Sequence, residues 1–221
     1  NYFFKKNIIL SKRDIKKYFY NYLNKPNKNS LFTTCWAKLY KTKLLTLNKS
    51  LYFNEKMFLC EDTDFVFRFL SNATKIIFFN HSMYIHNLYR GKKNYNKATF
   101  GTKISLKHQL SFLKPIASCK KYFINKGDKF LKIKKNLNHC IAAYTIIYTI
   151  RSCLKIHSIS DFFKTYKFWK QTYKKIKFSD ALDNYSPKLA EGGWLLPYLI
   201  KNKIYLIAII IAYILARKRY L

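Results

Sequence analysis

The chain has 221 residues, 49% of them hydrophobic, and a formal charge of +33 from 43 Lys+Arg against 10 Asp+Glu. That apolar content excludes a disordered polymer, and only 5 Gly and 4 Pro exclude a fibrous or loop-rich chain. A surplus of cations this large repels itself unless an anionic partner compensates: nucleic acid, an anionic membrane surface or a phosphorylated substrate.

Along the chain, Ser11-Lys12-Arg13-Asp14 offers a helix start, with Ile15, Tyr18 and Phe19 on one face of the helix that follows. Lys25 to Ser30 reads as a turn. Glu61 to Leu70 reads as a helix: Phe65, Val66, Phe69 and Leu70 recur at helical spacing, and the acidic residues occupy the first turn, where the helix dipole favours them. Lys75 to Phe79 and Met83 to His86 read as two short extended runs about the turn Asn80-His81-Ser82. Gly91 to Thr102 is polar, bounded by glycines, and reads as a loop. Residues 103–180 read as mainly helical. A long apolar stretch follows Asp128 to about Leu154, and a helix starts at Ser158 with Phe162, Phe163, Tyr166, Trp169, Tyr173 and Ile176 along one stripe. Residues 179–193 read as a polar connection.

The last segment holds an uninterrupted apolar run, Ile204 to Ala216. At ~1.5 Å per residue it spans ~20 Å, short of a ~30 Å hydrocarbon core. Lys201 and Lys203 precede it and Arg217, Lys218 and Arg219 follow, with Trp194, Tyr198, Tyr205 and Tyr213 suited to an interface. The expectation is a helix lying on an anionic membrane surface; a spanning helix or an ordinary buried helix are the alternatives. The basic residues are dispersed and no nucleic-acid-binding motif is present, so nucleic acid is not expected as a partner. The five cysteines (Cys35, Cys60, Cys119, Cys140, Cys153) match no CxxC pattern and read as reduced thiols packed as small hydrophobes. No secretory signal is evident, and Asn1 reads as a start inside a longer frame.

The informative region is 35–92. It holds Cys35-Trp36-Ala37-Lys38-Leu39-Tyr40, Phe53-Asn54-Glu55, Glu61-Asp62-Thr63-Asp64-Phe65, Met83-Tyr84-Ile85-His86 and Tyr89-Arg90. In order and spacing this region resembles the acceptor half of the bacterial family-2 glycosyltransferases of the A-type fold. Those proteins carry W-x-K-L-Y, then E-D-x-x-F at the head of a helix, a strand pair, and a Tyr-rich end with basic residues.

The resemblance implies an α/β fold class: a partial glycosyltransferase A-type domain of short strands and helices over 1–102, a basic helical region over 103–193, and a membrane-associating tail over 194–221. It implies transfer of a sugar from a nucleotide-sugar donor to a saccharide or lipid-linked acceptor at the cytoplasmic face of a bacterial inner membrane. Asp62 is the implied catalytic base, with Trp36, Glu61 and Tyr84 binding the acceptor and His86, Arg90 and Lys92 binding the diphosphate. A carboxylate suits the base role because it takes the proton from an attacking hydroxyl. Read from the helix alone, Asp62 and Asp64 are equally capping residues.

Asp62-Thr63-Asp64 spells D-x-D, but in the family the metal-binding D-x-D lies upstream of the Trp element. A divalent metal (Mg or Mn) is therefore expected only in a full-length enzyme. None is expected on this chain alone, although His86 is a possible ligand. The nucleotide half is expected to be missing, which leaves activity of this chain by itself in doubt. The alternatives are a non-catalytic remnant or a basic, membrane-associated helical interaction protein. The family usually has Asn where Ala37 stands.

Overall fold

The computed structural model describes residues 6–26, 33–47, 51–82, 84–85, 105–187 and 193–220. Helix dominates. The expected α/β character is limited, among the described residues, to one antiparallel two-stranded ladder, β1 (Ile8–Ser11) with β2 (Lys75–Phe78), in the register Ile8↔Phe78 to Ser11↔Lys75. This corrects the expected strand pair. The partner of β2 comes from the other end of the segment, and Tyr84 and Ile85 lie in neither helix nor strand.

Ser11 ends β1 and caps α1 (Lys12–Asn24). Its Oγ accepts from Asp14 N at 3.4 Å, while Asp14 Oδ2 accepts from Ser11 N at 2.8 Å, so two otherwise orphaned donors are satisfied reciprocally. α1 buries Ile15, Phe19, Tyr22 and Leu23, with Tyr18 at the edge of that face. α2 (Thr42–Leu47) is a short helix. α3 (Glu61–Asn72) has the expected acidic first turn and buries Phe65, Val66, Phe67, Phe69 and Leu70. After a 3-10 helix (Leu106–Phe112) come α4 (Leu113–Asn125) and α5 (Phe130–Ser152). A 3-10 turn (Cys153–Lys155) leads to α6 (Ile159–Lys175), capped by Ser158 Oγ accepting from Asp161 N. α7 (Phe178–Leu182), α8 (Leu195–Lys201) and α9 (Tyr205–Tyr220) complete the chain.

α5 is the hub; α1, α4, α7 and α9 all pack on it. Between α1, α3, α4 and α5 the core is aromatic. Phe19 stacks on Tyr122 with centroids 4.3 Å apart, Tyr22 meets Phe67 edge to face at 4.7 Å, and Tyr22 Oη donates to Tyr144 Oη at 2.9 Å. One buried cluster runs from Leu10 to Ala216, so the packing crosses the expected boundaries at 102/103 and 193/194. Cys119, Cys140 and Cys153 are buried in it as thiols.

The expected α6 stripe faces the core except at Phe163, which is exposed: Trp169 and Tyr173 are buried, with Phe162, Tyr166 and Ile176 partly buried against the same cluster and Thr165 and Thr172 buried beside them. Two hydroxyls of α5 anchor that face: Trp169 Nε1 donates to Ser152 Oγ at 2.7 Å, and Tyr173 Oη and Thr149 Oγ1 share a 3.0 Å hydrogen bond. The polar connection expected over 179–193 includes most of α7, which buries Phe178, Ala181 and Leu182. No helix among the described residues is long and apolar enough to cross a membrane. Arg217, expected to face a membrane, is half-buried; its Nη2 donates to Ile156 O at 3.1 Å and its guanidinium packs over Tyr213.

Candidate functional site

The N-terminal turn of α3 and the segment Thr33–Tyr40 form one unit. Thr63 Oγ1 donates to Thr33 O at 2.9 Å, and Cys35 N donates to Asp62 Oδ2 at 3.4 Å. Tyr40 Oη donates back to Cys35 O at 3.1 Å, while its ring stands edge-on to Phe65 and Phe69 of α3. The segment therefore rests on the apolar face of α3 through Tyr40 and on its polar end through Asp62 and Thr63.

Lys38 organises the segment from inside. Its Nζ donates to Thr34 O at 2.6 Å, to Thr34 Oγ1 at 3.3 Å and to Trp36 O at 3.3 Å. A single ammonium meeting three oxygens of its own loop folds that loop around itself, and Ala37 takes the left-handed conformation (φ 56°) to allow it. Burial lowers the Lys38 pKa, partly countered by the Cys35 and Asp62 charges. Burial first, and the Asp62 carboxylate second, push the Cys35 thiol up to about 11, so Cys35 is not an activated nucleophile. Burial also raises Tyr40 well above the ordinary phenol range.

Trp36 projects outward from this loop and stacks on Tyr84, with centroids 5.4 Å apart and planes 19° from parallel. Trp36 is 41% and Tyr84 47% exposed, so the pair presents an aromatic surface to solvent. Glu61 and Asp62 are half-buried on the first turn of α3. The structure thus brings Asp62 to the backbone N–H of Cys35, the residue before Trp36, and Tyr84 to the Trp36 ring. His86, Arg90 and Lys92 lie outside the described residues, as does the polar stretch Gly91–Thr102.

Asp62 and Asp64 do not act together. Two residues apart on a helix, their side chains diverge by about 200°. Asp64 is buried; its Oδ2 accepts from Arg68 Nε at 2.8 Å and its Oδ1 from Ser118 Oγ at 2.8 Å. Arg68 Nη2 in turn donates to Tyr52 O at 2.9 Å. The carboxylate of Asp64 is committed to fastening α3 to α4 and to the turn at Tyr52. The D-x-D spelling therefore does not fit a metal pair.

Two elements of this site had no clear signal in the sequence. Nothing in the sequence marked Lys38 as an organiser of its own loop, where all three of its acceptors lie. Cys35 read as a small core hydrophobe; its backbone N–H is the donor to Asp62.

Comparisons with protein-family models, with curated proteins and with solved structures find no match.

Proposed function

We propose that this chain is the acceptor-side part of an inverting glycosyltransferase, with Asp62 as the base that deprotonates the acceptor hydroxyl. The observation that supports this most is the placement of a half-buried carboxylate, Asp62, one peptide away from an exposed aromatic stack, Trp36 on Tyr84. Aromatic faces pack against the C–H faces of pyranose rings, and a carboxylate beside them reaches the ring hydroxyls. In this reading the hydroxyl oxygen attacks the anomeric carbon as its proton passes to Asp62, and the bond to the departing nucleotide diphosphate breaks. Glu61, on the same helical turn, orients acceptor hydroxyls. His86, Arg90 and Lys92 are proposed to neutralise the diphosphate. In this reading a nucleotide and a divalent metal would be held by a donor half and not by Asp62 or Asp64.

Acceptor binding is testable on the chain itself. Saturation-transfer NMR against a panel of bacterial surface oligosaccharides is expected to show contact that Trp36→Ala and Tyr84→Ala each abolish, with unchanged melting temperatures. Binding that survives both substitutions would remove the stack from the site. In an enzyme that includes the donor half, Asp62→Asn keeps the shape and loses the basicity, and is expected to lower turnover ~10²–10⁴-fold while nucleotide binding persists. Near-normal turnover in that variant would end the base assignment.

A further inference from the structure

We propose that the α8–α9 corner is a docking surface for an anionic phospholipid bilayer, built from an aliphatic helix face and an adjoining basin of lysines. The residues that carry it are separate from those around Asp62, so it stands or falls independently of sugar transfer.

α9 has two different faces. Ala208, Ile209, Ala212 and Ala216 are fully buried, and the helix packs there against α5, α6 and the 3-10 turn Cys153–Lys155. On the opposite side Leu206, Ile207, Ile210 and Ile214 are each between 43% and 57% exposed. Their spacing (i, i+1, i+4, i+8) is that of one helical stripe, and it is aliphatic throughout. The helix is 16 residues, about 24 Å, and one side is already covered by protein, so it meets a bilayer along its length. α8 extends the same kind of surface. It buries Leu196, Leu199 and Ile200 but leaves Trp194, Leu195 and Tyr198 exposed, with Trp194 set edge to face on Tyr198. Trp and Tyr are the residues that settle at the headgroup level.

The basin lies where α8 turns into α9. A cavity of about 190 Å³ opens between α6, α7 and this turn, with Lys174, Lys177, Lys201 and Lys203 on its walls and Tyr173 and Tyr205 among its other lining residues. Lys203 directly precedes Ile204, and Leu206 follows three positions on, so the cationic and aliphatic parts are continuous along the chain. Lys201 is paired with Asp183 at 2.8 Å, and Asp180 also lines the basin; Lys174, Lys177 and Lys203 are exposed and have no ion pair among the described residues.

Charge decides the occupant. Protein interfaces are depleted in lysine at their centres, whereas a surface with aliphatic residues in the middle, Trp and Tyr beside them and lysines at the rim matches the layering of an anionic leaflet. A net charge of +33 adds a long-range attraction of the same sign.

The test is sedimentation with vesicles of phosphatidylcholine alone or with one third phosphatidylglycerol, across a salt series. The wild-type chain is expected to bind the anionic vesicles at least about tenfold more tightly, since each lysine near the surface contributes severalfold. Ile207→Ser/Ile210→Ser/Ile214→Ser should lose binding at every salt concentration. Lys174→Gln/Lys177→Gln/Lys203→Gln should lose most of it at low salt and flatten the salt dependence. All six positions are exposed, so neither variant is expected to lower the melting temperature. Brominated phosphatidylglycerol should also quench wild-type fluorescence, and Trp194→Phe should remove that quenching, a readout independent of either triple variant. Equal binding to neutral and anionic vesicles, wild-type binding by both triple variants, or absence of Trp194 quenching would each overturn the proposal. Self-association abolished by the serine variant while vesicles stay unbound would also overturn it, by assigning the face to a second copy of the chain.

Discussion

Ala37 sits in the left-handed region at φ 56°, and the Lys38 loop closes around it. For a residue with a Cβ this conformation costs roughly 1–2 kcal/mol, while Gly adopts it freely at a smaller entropic cost in the unfolded chain. Ala37→Gly is therefore expected to stabilise the fold by about 0.5–1 kcal/mol in urea denaturation. An unchanged or lowered midpoint would mean that the loop relaxes around Ala37 without strain.

His139 makes a second argument at the same scale. It is buried on α5, stacked against Tyr185, and its Nδ1 accepts from Ser186 N at 3.2 Å. Burial lowers its pKa, because a charge would be desolvated there, and a protonated Nδ1 would face the Ser186 N–H as a second donor. A base whose folded pKa lies below its unfolded value near ~6.5 stabilises the fold above that pH. The stability is lost as pH falls from there through the folded pKa. Thermal melts of the wild-type chain should weaken below about pH 6.5 more steeply than those of His139→Gln. Parallel curves would remove His139 from the acid response.

The helices were legible because their starts are local. Ser11 with Asp14, and Ser158 with Asp161, place side-chain acceptors where the first turn leaves N–H groups unpaired, and both caps form as the sequence implies. The inward face of α6 was legible too, from its aromatic stripe, although its hydrogen bonds to Ser152 and Thr149 of α5 were not. Which way α9 faces was not legible, because it is an almost uniformly apolar run with no polar side to mark solvent. α3 shows what such long-range partners contribute. Asp64 of α3 is buried with Arg68 and held to α4 by Ser118. Arg68→Met leaves that carboxylate short of its cation, and a loss of about 3 kcal/mol is expected in chemical denaturation. A loss below about 1 kcal/mol would place Asp64 in the ordinary solvated class.

Across the whole molecule the dominant quantity is charge. Ion pairs such as Lys16–Asp128, Arg68–Asp64 and Lys201–Asp183 draw on only 10 Asp+Glu, so most of the 43 cations repel one another. Screening at ~0.1 M salt acts beyond about 10 Å, so added salt should raise the melting temperature between 20 and 500 mM NaCl. A fall over that range would mean that the few ion pairs outweigh the general repulsion. The sequence alone determined this charge, the capped helix starts, the apolar face of α3 and the apolar C-terminal run between its flanking cations, because each depends on residues within a few positions of one another. Tertiary structure decided that β1 pairs with a strand more than sixty residues away, that Asp64 turns to Arg68 and Ser118 while Asp62 turns to Cys35, and that α9 buries Ala208, Ile209, Ala212 and Ala216 while exposing Leu206, Ile207, Ile210 and Ile214. In each case local chemistry allows more than one partner, and the choice falls to whichever groups the packing brings within reach.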